Sequence, residues 1–335
     1  HQLRVLQTRI GGSVIEGGFA DGRGMSLAPY VQIVARGAGQ ARPMTLDEAR
    51  EAMTLILDGD AAPEAVGALL MVMRLRGETA DEIAGFTAAL RAHVGGALPQ
   101  ADLDWPSYAA GRSRGAPLFL LSARLVAQAG YRVSMHGWNS HQSAAASVRD
   151  ALDLAGPYVR YSALETLSPA AFALLKLRDT FGLRSCFNTV LRMWNPSNAP
   201  VSVQGVFHPS YRSLQANAAA LLGQQGLTII KGGGGEFERH PSKDIIAFGL
   251  RNGEHIQEHF PPILHETRRL HEAESAVDLQ ALWRGTSKDP FANATVTSTA
   301  ALALWSLKAA PTIAQAQNMA DALWATRHQH ESLSA

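Results

Sequence analysis

The stretch Asp104-Trp105-Pro106, Gly111-Arg112-Ser113-Arg114-Gly115, Leu118–Ala129 and Gly130-Tyr131-Arg132-Val133-Ser134-Met135-His136-Gly137 decides how this chain folds. It reads as a strand end, a glycine-bearing turn, a helix and a second strand that closes on His-Gly. That order is the grammar of an α/β cleft for a nucleotide or phosphate, because a turn and a helix start present backbone N–H groups to an anion. Arg112 and Arg114 flank Ser113 beside the helix start. Two guanidinium groups there would grip an anion bidentately; the competing reading is a pair of solvated loop arginines.

Outward from this stretch, the pattern changes character on each side. Upstream, Thr45 and Glu48 form a capping-box pattern before Ala49, Ala52, Met53, Ile56 and Leu57 at helical spacing. Pro63 opens a second helix that Gly77 stops, and Thr79 with Glu82 repeats the box before Ile83, Phe86, Leu90 and Val94. A short helix over Leu27–Val34 precedes them. These helices predict a small α-helical domain over residues 25–97, joined by helices from about 188–222, with residues 1–24 as a lead-in. Gly95-Gly96 to Pro99 reads as the hinge.

Downstream, strand-like and helix-like segments alternate at Tyr131–Met135, Ser143–Leu154, Ser168–Leu175, Leu227–Lys231 and Asp244–Leu250, followed by helices over Asn293–Leu307 and Ile313–Thr326. Alternation of this kind predicts a larger α/β domain over residues 98–335, a central sheet flanked by helices.

The chain has 335 residues and a formal net charge of +1, so there is no global pull towards nucleic acid. The balance is uneven: about −2 for residues 1–100, about +4 for 101–200 and about −1 for the rest. A positive middle suits a cleft for a phosphorylated ligand. The single cysteine, Cys186, excludes an internal disulfide framework and fits a reducing cytoplasm. It reads as a small buried apolar residue. No apolar run is long enough to span a bilayer and no signal-peptide pattern is present.

Several motifs resemble those of anthranilate phosphoribosyltransferase and its family-3 glycosyltransferase relatives. Arg74-Leu75-Arg76-Gly77-Glu78-Thr79 is similar to the family's Arg-x-Arg-Gly-Glu-Thr. Leu177–Asn188, continued by Asn195-Pro196, is similar to its Arg-x-Leu-Gly-Ile-Arg-Thr-Ile-Phe-Asn, and Pro290–Ala294 before an Ala/Leu helix is like its C-terminal region. The resemblance covers roughly residues 27–326. It implies a nucleoside phosphorylase/phosphoribosyltransferase-like fold, a homodimer through the helical domain and magnesium as cofactor.

The reactive positions depart from the family pattern. Read without gaps, the family's Gly-Thr-Gly-Gly-Asp phosphate loop falls on Ser107-Tyr108-Ala109-Ala110-Gly111, and its Asn-x-Ser-Thr on Pro117-Leu118-Phe119-Leu120. Its Lys-His-Gly-Asn aligns with Met135-His136-Gly137-Trp138-Asn139, which keeps His136 and Gly137 and leaves Asn139 displaced by one position or replaced. Arg178 falls on the arginine for the acceptor carboxylate and suits a phosphate equally well. In Lys231-Gly232-Gly233-Gly234-Gly235-Glu236-Phe237-Glu238, the family's magnesium-holding Asp-Glu pair aligns with Phe237 and Glu238, with Glu236 near enough to substitute. The four glycines predict a mobile, anion-accessible loop entered past Lys231. His255 and His259 fall in a strand or loop, which is wrong for a helical metal pair.

Two functions follow from the resemblance. One is a glycosyltransferase-like protein that binds a phosphorylated sugar or nucleotide in an inter-domain cleft with a degenerate donor site, unsuited to anthranilate. The other is a non-catalytic nucleic-acid binder of the same superfamily. Turnover stays open between them. The ligand set for either is Arg112, Ser113, Arg114, His136, Gly137, Asn139, Arg178, Lys231, Gly232 and Gly233.

Overall fold

A computed structural model describes residues 26–93, 98–108, 115–138, 147–265 and 277–331. In chain order its main elements are α1 (Ala28–Ala35), α2 (Leu46–Leu57), α3 (Pro63–Arg76), α4 (Ala80–His93), β1 (Leu103–Ser107), α5 (Phe119–Gln128), β2 (Val133–Gly137) and β3 (Val159–Ala163). There follow α6 (Pro169–Phe181), α7 (Phe187–Met193), β4 (Val201–Val206), α8 (Tyr211–Leu221), β5 (Gly226–Lys231), β6 (Ile245–Arg251), β7 (Glu254–Phe260), α9 (Leu279–Arg284), α10 (Pro290–Ser306) and α11 (Ile313–Ala325). The chain divides into two compact units: residues up to His93 with Ala173–Val190, and Val94–Phe172 with Leu191–Ala335.

The smaller unit is helical, for the local reasons its sequence offers. Thr45 and Glu48 close a capping box at α2, with Glu48 N–H to Thr45 Oγ1 at 3.2 Å and Thr45 N–H to Glu48 Oε1 at 2.9 Å. Thr79 and Glu82 repeat both arms at α4, at 3.0 and 3.2 Å. Gly77 ends α3 with φ +88°, a conformation that favours glycine. Met53, Leu69, Leu70, Ile83 and Phe86 are sealed from solvent between the helices. A side chain at Gly85 would meet Leu46 O at 2.3 Å, so this glycine sets how closely α4 approaches α2. The chain returns to this unit over Ala173–Val190, where the sequence places the return at about 188–222. Residues 191–222 lie in the larger unit because α8 packs on β5 and β6.

The larger unit is built on a seven-stranded sheet of order β3-β2-β1-β4-β5-β6-β7. Its first five strands are parallel, and β6 and β7 complete it antiparallel. Parallel partners share a face, so the register sorts side chains by strand parity. Trp105, Met135 and Val203 lie on the face covered by α5 and α10, where Trp105 packs on Phe119 and Phe237 at ring separations of 6.4 and 5.4 Å. Asp104, His136, Ser202 and Gln204 lie on the opposite face, reached by Gln215 of α8. No helix among the described residues is long and apolar enough to cross a membrane.

Strand order reverses between β1 and β4. They pair at Leu103↔Val201 and Asp104↔Ser202, short of their C-terminal ends. In open α/β sheets this is where a ligand crevice forms.

Candidate functional site

At that crevice the chain has placed its own acidic turn. Gly232 N–H donates to Val206 O at 3.2 Å, Gly233 N–H to Glu238 O at 3.2 Å and Gly235 N–H to Gly232 O at 3.2 Å, closing a tight turn over residues 232–238. A side chain at Gly205 would fall 2.1 Å from the Glu236 carbonyl carbon, and one at Gly232 would fall 1.6 Å from Glu236 O. Two of these glycines therefore let backbone approach backbone. Where the sequence suggests a mobile, anion-accessible loop, the N–H groups of Gly232, Gly233, Gly235 and Glu236 are engaged by backbone carbonyls.

The turn delivers two carboxylates inward. Glu236 accepts a hydrogen bond from Ser107 Oγ at 3.1 Å, and Glu238 Oε2 accepts from Phe119 N–H at 3.0 Å. Both glutamates are buried, at 1% and 0% exposure. Phe119 is the first residue of α5, which has no side-chain cap from Leu118. A helix start attracts an anion through its orphan N–H groups and its dipole. Here the anion is Glu238 itself.

On the other face of the sheet, a buried polar chain runs along the strand ends. Tyr108 O–H meets His136 Nδ1 at 2.7 Å and His136 Nε2 meets Asp104 Oδ1 at 3.1 Å. Asp104 Oδ2 accepts from Ser202 Oγ at 2.8 Å, and Gln204 links Ser202 to Gln215 at 3.2 and 2.7 Å. A carboxylate only accepts, which puts the imidazole proton on Nε2 and leaves Nδ1 to accept from the phenol. Burial pushes the Tyr108 phenol well above its ordinary value, so it stays protonated and donating. His136 has no exposed surface and Trp194 closes its flank at 5.8 Å. His136 is thus fastened by Tyr108, Asp104 and Trp194, the neighbours that its place at a strand end does not announce. Gly137 is held by packing, since a side chain there would strike Ser107 O at 1.9 Å.

An open cavity of about 270 Å³ lies at the end of β5, bounded by Arg212, Lys231, the Gly232–Gly233 backbone, His240, Lys243 and Asp244. Lys231 and Lys243 are exposed and form no ion pair within the described residues. Arg212 is fixed by donating to Pro209 O at 2.9 Å and Ile246 O at 2.7 Å, with its guanidinium 4.8 Å over Phe248. Burial draws its value below that of a free arginine, which still leaves it a cation. Asp244, the one acid of the set, is engaged by His259 at 2.8 Å. Three cations against one partnered acid give the cavity a net positive lining.

The structure brings Lys231, Gly232 and Gly233 of the sequence-derived set together here. Arg178 lies in the smaller unit, half-buried in the last turn of α6, with Arg74 and Arg184 nearby. Arg112, Ser113, Arg114 and Asn139 lie outside the described residues. Sequence reasoning missed Arg212, Lys243 and His240. A signal was present for Arg212, the only arginine or lysine between the end of β4 and the end of α8.

Comparison with known proteins agrees with the fold. The helical bundle domain of the glycosyl transferase family matches residues 29–94. The anthranilate phosphoribosyltransferase of Bacillus caldotenax is 30% identical over 232 residues, which is 64% of this chain and 95% of the relative. That of Geobacillus kaustophilus is 28% identical over 320 residues, 88% of this chain and 94% of the relative. Among solved structures, the Thermus thermophilus enzyme superposes with a TM-score of 0.69 at 23% identity, covering 85% of this chain and 92% of its own. The Saccharomyces cerevisiae enzyme in complex with PRPP and Mg superposes with a TM-score of 0.64 at 15% identity, over 92% and 95%. The chain belongs to the anthranilate phosphoribosyltransferase superfamily, glycosyltransferase family 3.

Magnesium is the metal that the resemblance implies, and among the described residues the two glutamates assigned to it are both engaged by protein groups. Glu238 is closed off by Phe119 and the helix start, Glu236 is turned onto Ser107, and Phe237 between them packs into the core against Trp105. No group of three His, Cys, Asp or Glu side chains suited to a metal occurs among the described residues.

Proposed function

We propose that this protein keeps the phosphoribosyltransferase fold as a binding scaffold for a phosphorylated sugar or nucleotide, without magnesium-dependent transfer to anthranilate. The observation that carries this reading is the Glu238 carboxylate on Phe119 N–H. A helix start already satisfied by a buried carboxylate is a poor place for a pyrophosphate, because two anions would share one set of donors. The anion is taken instead by Lys231, Lys243 and Arg212, which need no metal to neutralise a phosphate.

The direct test mixes purified protein with anthranilate, phosphoribosyl pyrophosphate and magnesium and follows loss of anthranilate fluorescence. The reading expects no turnover above background, since losing the electrostatic partners of a leaving group costs orders of magnitude in rate. Steady turnover would overturn it. Nucleic-acid binding is the second reading, favoured by the exposure of Lys231 and Lys243 on the rim of the cavity. A strand neutralised by several cations would bind with a steep salt dependence, whereas a small phosphate would not. We also propose a homodimer through the helical unit, on which Leu75 is 92% exposed. Light scattering at micromolar concentration would show a monomer if this is wrong.

A further inference from the structure

The cationic cavity has an aromatic neighbour that phosphate alone does not explain. Val206 is the last residue of β4 and pairs with Lys231 at the end of β5, so Phe207 follows directly beside the cavity's Lys231–Gly232 wall. Phe207 is 46% exposed, so its ring offers a flat apolar face to solvent beside the cations. The His208 ring stands edge-on to it at 5.0 Å, and the Tyr211 ring lies 6.4 Å beyond His208. The next residue, Arg212, lines the cavity. One short segment thus carries an exposed flat surface and one of the three cations.

We propose that this edge is a nucleotide site: Lys231, Lys243 and Arg212 hold the phosphate of a nucleoside 5′-monophosphate, and its base stacks on the Phe207 ring. This rests on the phosphate-binding reading above and narrows it, because a sugar phosphate or pyrophosphate has no planar base to stack on an aromatic face. The stack is tolerant of base identity, since every base has a π-face. The His208 ring edge braces Phe207, limiting the freedom lost on binding.

The experiment is isothermal titration of the full chain with AMP, ribose 5-phosphate, pyrophosphate and a 12-nucleotide single strand, each in EDTA. Three proteins are compared: the parent, Phe207→Leu and the Lys231→Gln/Lys243→Gln double variant. All three side chains are exposed, so the variants fold. AMP is expected to bind roughly tenfold more tightly than ribose 5-phosphate, the range for stacking one base. Phe207→Leu should erase that advantage and leave ribose 5-phosphate unchanged, and the lysine variant should weaken both. Equal affinity for AMP and ribose 5-phosphate, or no response to Phe207→Leu, overturns the nucleotide site while the phosphate reading stands. Indifference of every phosphate to the lysine variant overturns the phosphate reading itself. Binding of the single strand without measurable AMP binding overturns the mononucleotide proposal in favour of a nucleic-acid surface.

Discussion

Replacing Glu238 with alanine should destabilise the larger unit, and the size of the effect separates a structural carboxylate from a metal ligand. Glu238 is fully buried and its Oε2 accepts from Phe119 N–H at 3.0 Å. Removing it orphans a buried donor, which costs about 1–3 kcal/mol. It also removes an anion from a helix start, worth up to about 2 kcal/mol in a partly buried setting. A loss of about 3 kcal/mol overall corresponds to a fall in Tm of roughly 8 °C for a unit of this size. Glu238→Gln keeps an acceptor and loses only the charge, so its Tm should fall by about 3 °C. Differential scanning calorimetry in EDTA and again with magnesium reads both numbers. A carboxylate poised for a metal would instead be relieved by removal. Unchanged or raised stability of Glu238→Ala, together with a magnesium-dependent Tm in the parent alone, would refute the reasoning.

Other consequences follow from the same geometry. Glu48 is held at about 2 against an ordinary 4.5, first by its hydrogen bond from Arg42 and then by Thr45, against an opposing push from burial. A depressed carboxylate stabilises above its unfolded value and loses that stability as pH falls through its folded value, so the contribution is complete above about 4.5 and gone by about 2. Because Arg42 is half-exposed, solvent screening limits the effect: Glu48→Gln should cost about 1–2 kcal/mol at pH 7 and nothing at pH 2, by urea titration of the helical unit. Gly205→Ala and Gly232→Ala place a methyl group against the Glu236 backbone and should each cost about 3 kcal/mol or more, whereas Gly37→Ala, with open space around it, should lie within about 0.5 kcal/mol in thermal melts. Tyr108→Phe removes the donor to His136 Nδ1 and should cost about 1–3 kcal/mol in urea unfolding, with the orphaned imidazole as the cause.

The helical unit was legible in the sequence because its stop and start signals are local. Thr45 with Glu48, Thr79 with Glu82, and Gly77 act within four residues, so a short window contains the physics. The order of strand, helix and strand around Asp104–Gly137 was legible for the same reason. What the spacing could not settle was partnership across the sheet. A strand-end position predicts the height of His136 in the cleft, but its face and its neighbours come from Tyr108 and Asp104 on the adjacent strand. A glycine run is ambiguous in sequence because a missing side chain serves two opposite ends, freedom of the chain and close approach of two backbones. Gly205, far away in sequence, reveals that Gly232 serves the second. Arg212 joins Lys231 and Lys243 only through the pairing of β4 with β5 and the packing of α8, which no local pattern announces.

The central claim is that phosphate is held by side-chain cations at the end of β5 and not by a metal on the acidic turn. Isothermal titration of phosphoribosyl pyrophosphate, in EDTA and in excess magnesium, tests it on the parent, on Lys231→Gln/Lys243→Gln and on Glu238→Gln. The account predicts the same affinity in both buffers, a loss of at least tenfold in the lysine variant and parent-like binding by Glu238→Gln. Binding that requires magnesium, disappears in Glu238→Gln and survives loss of both lysines would contradict it.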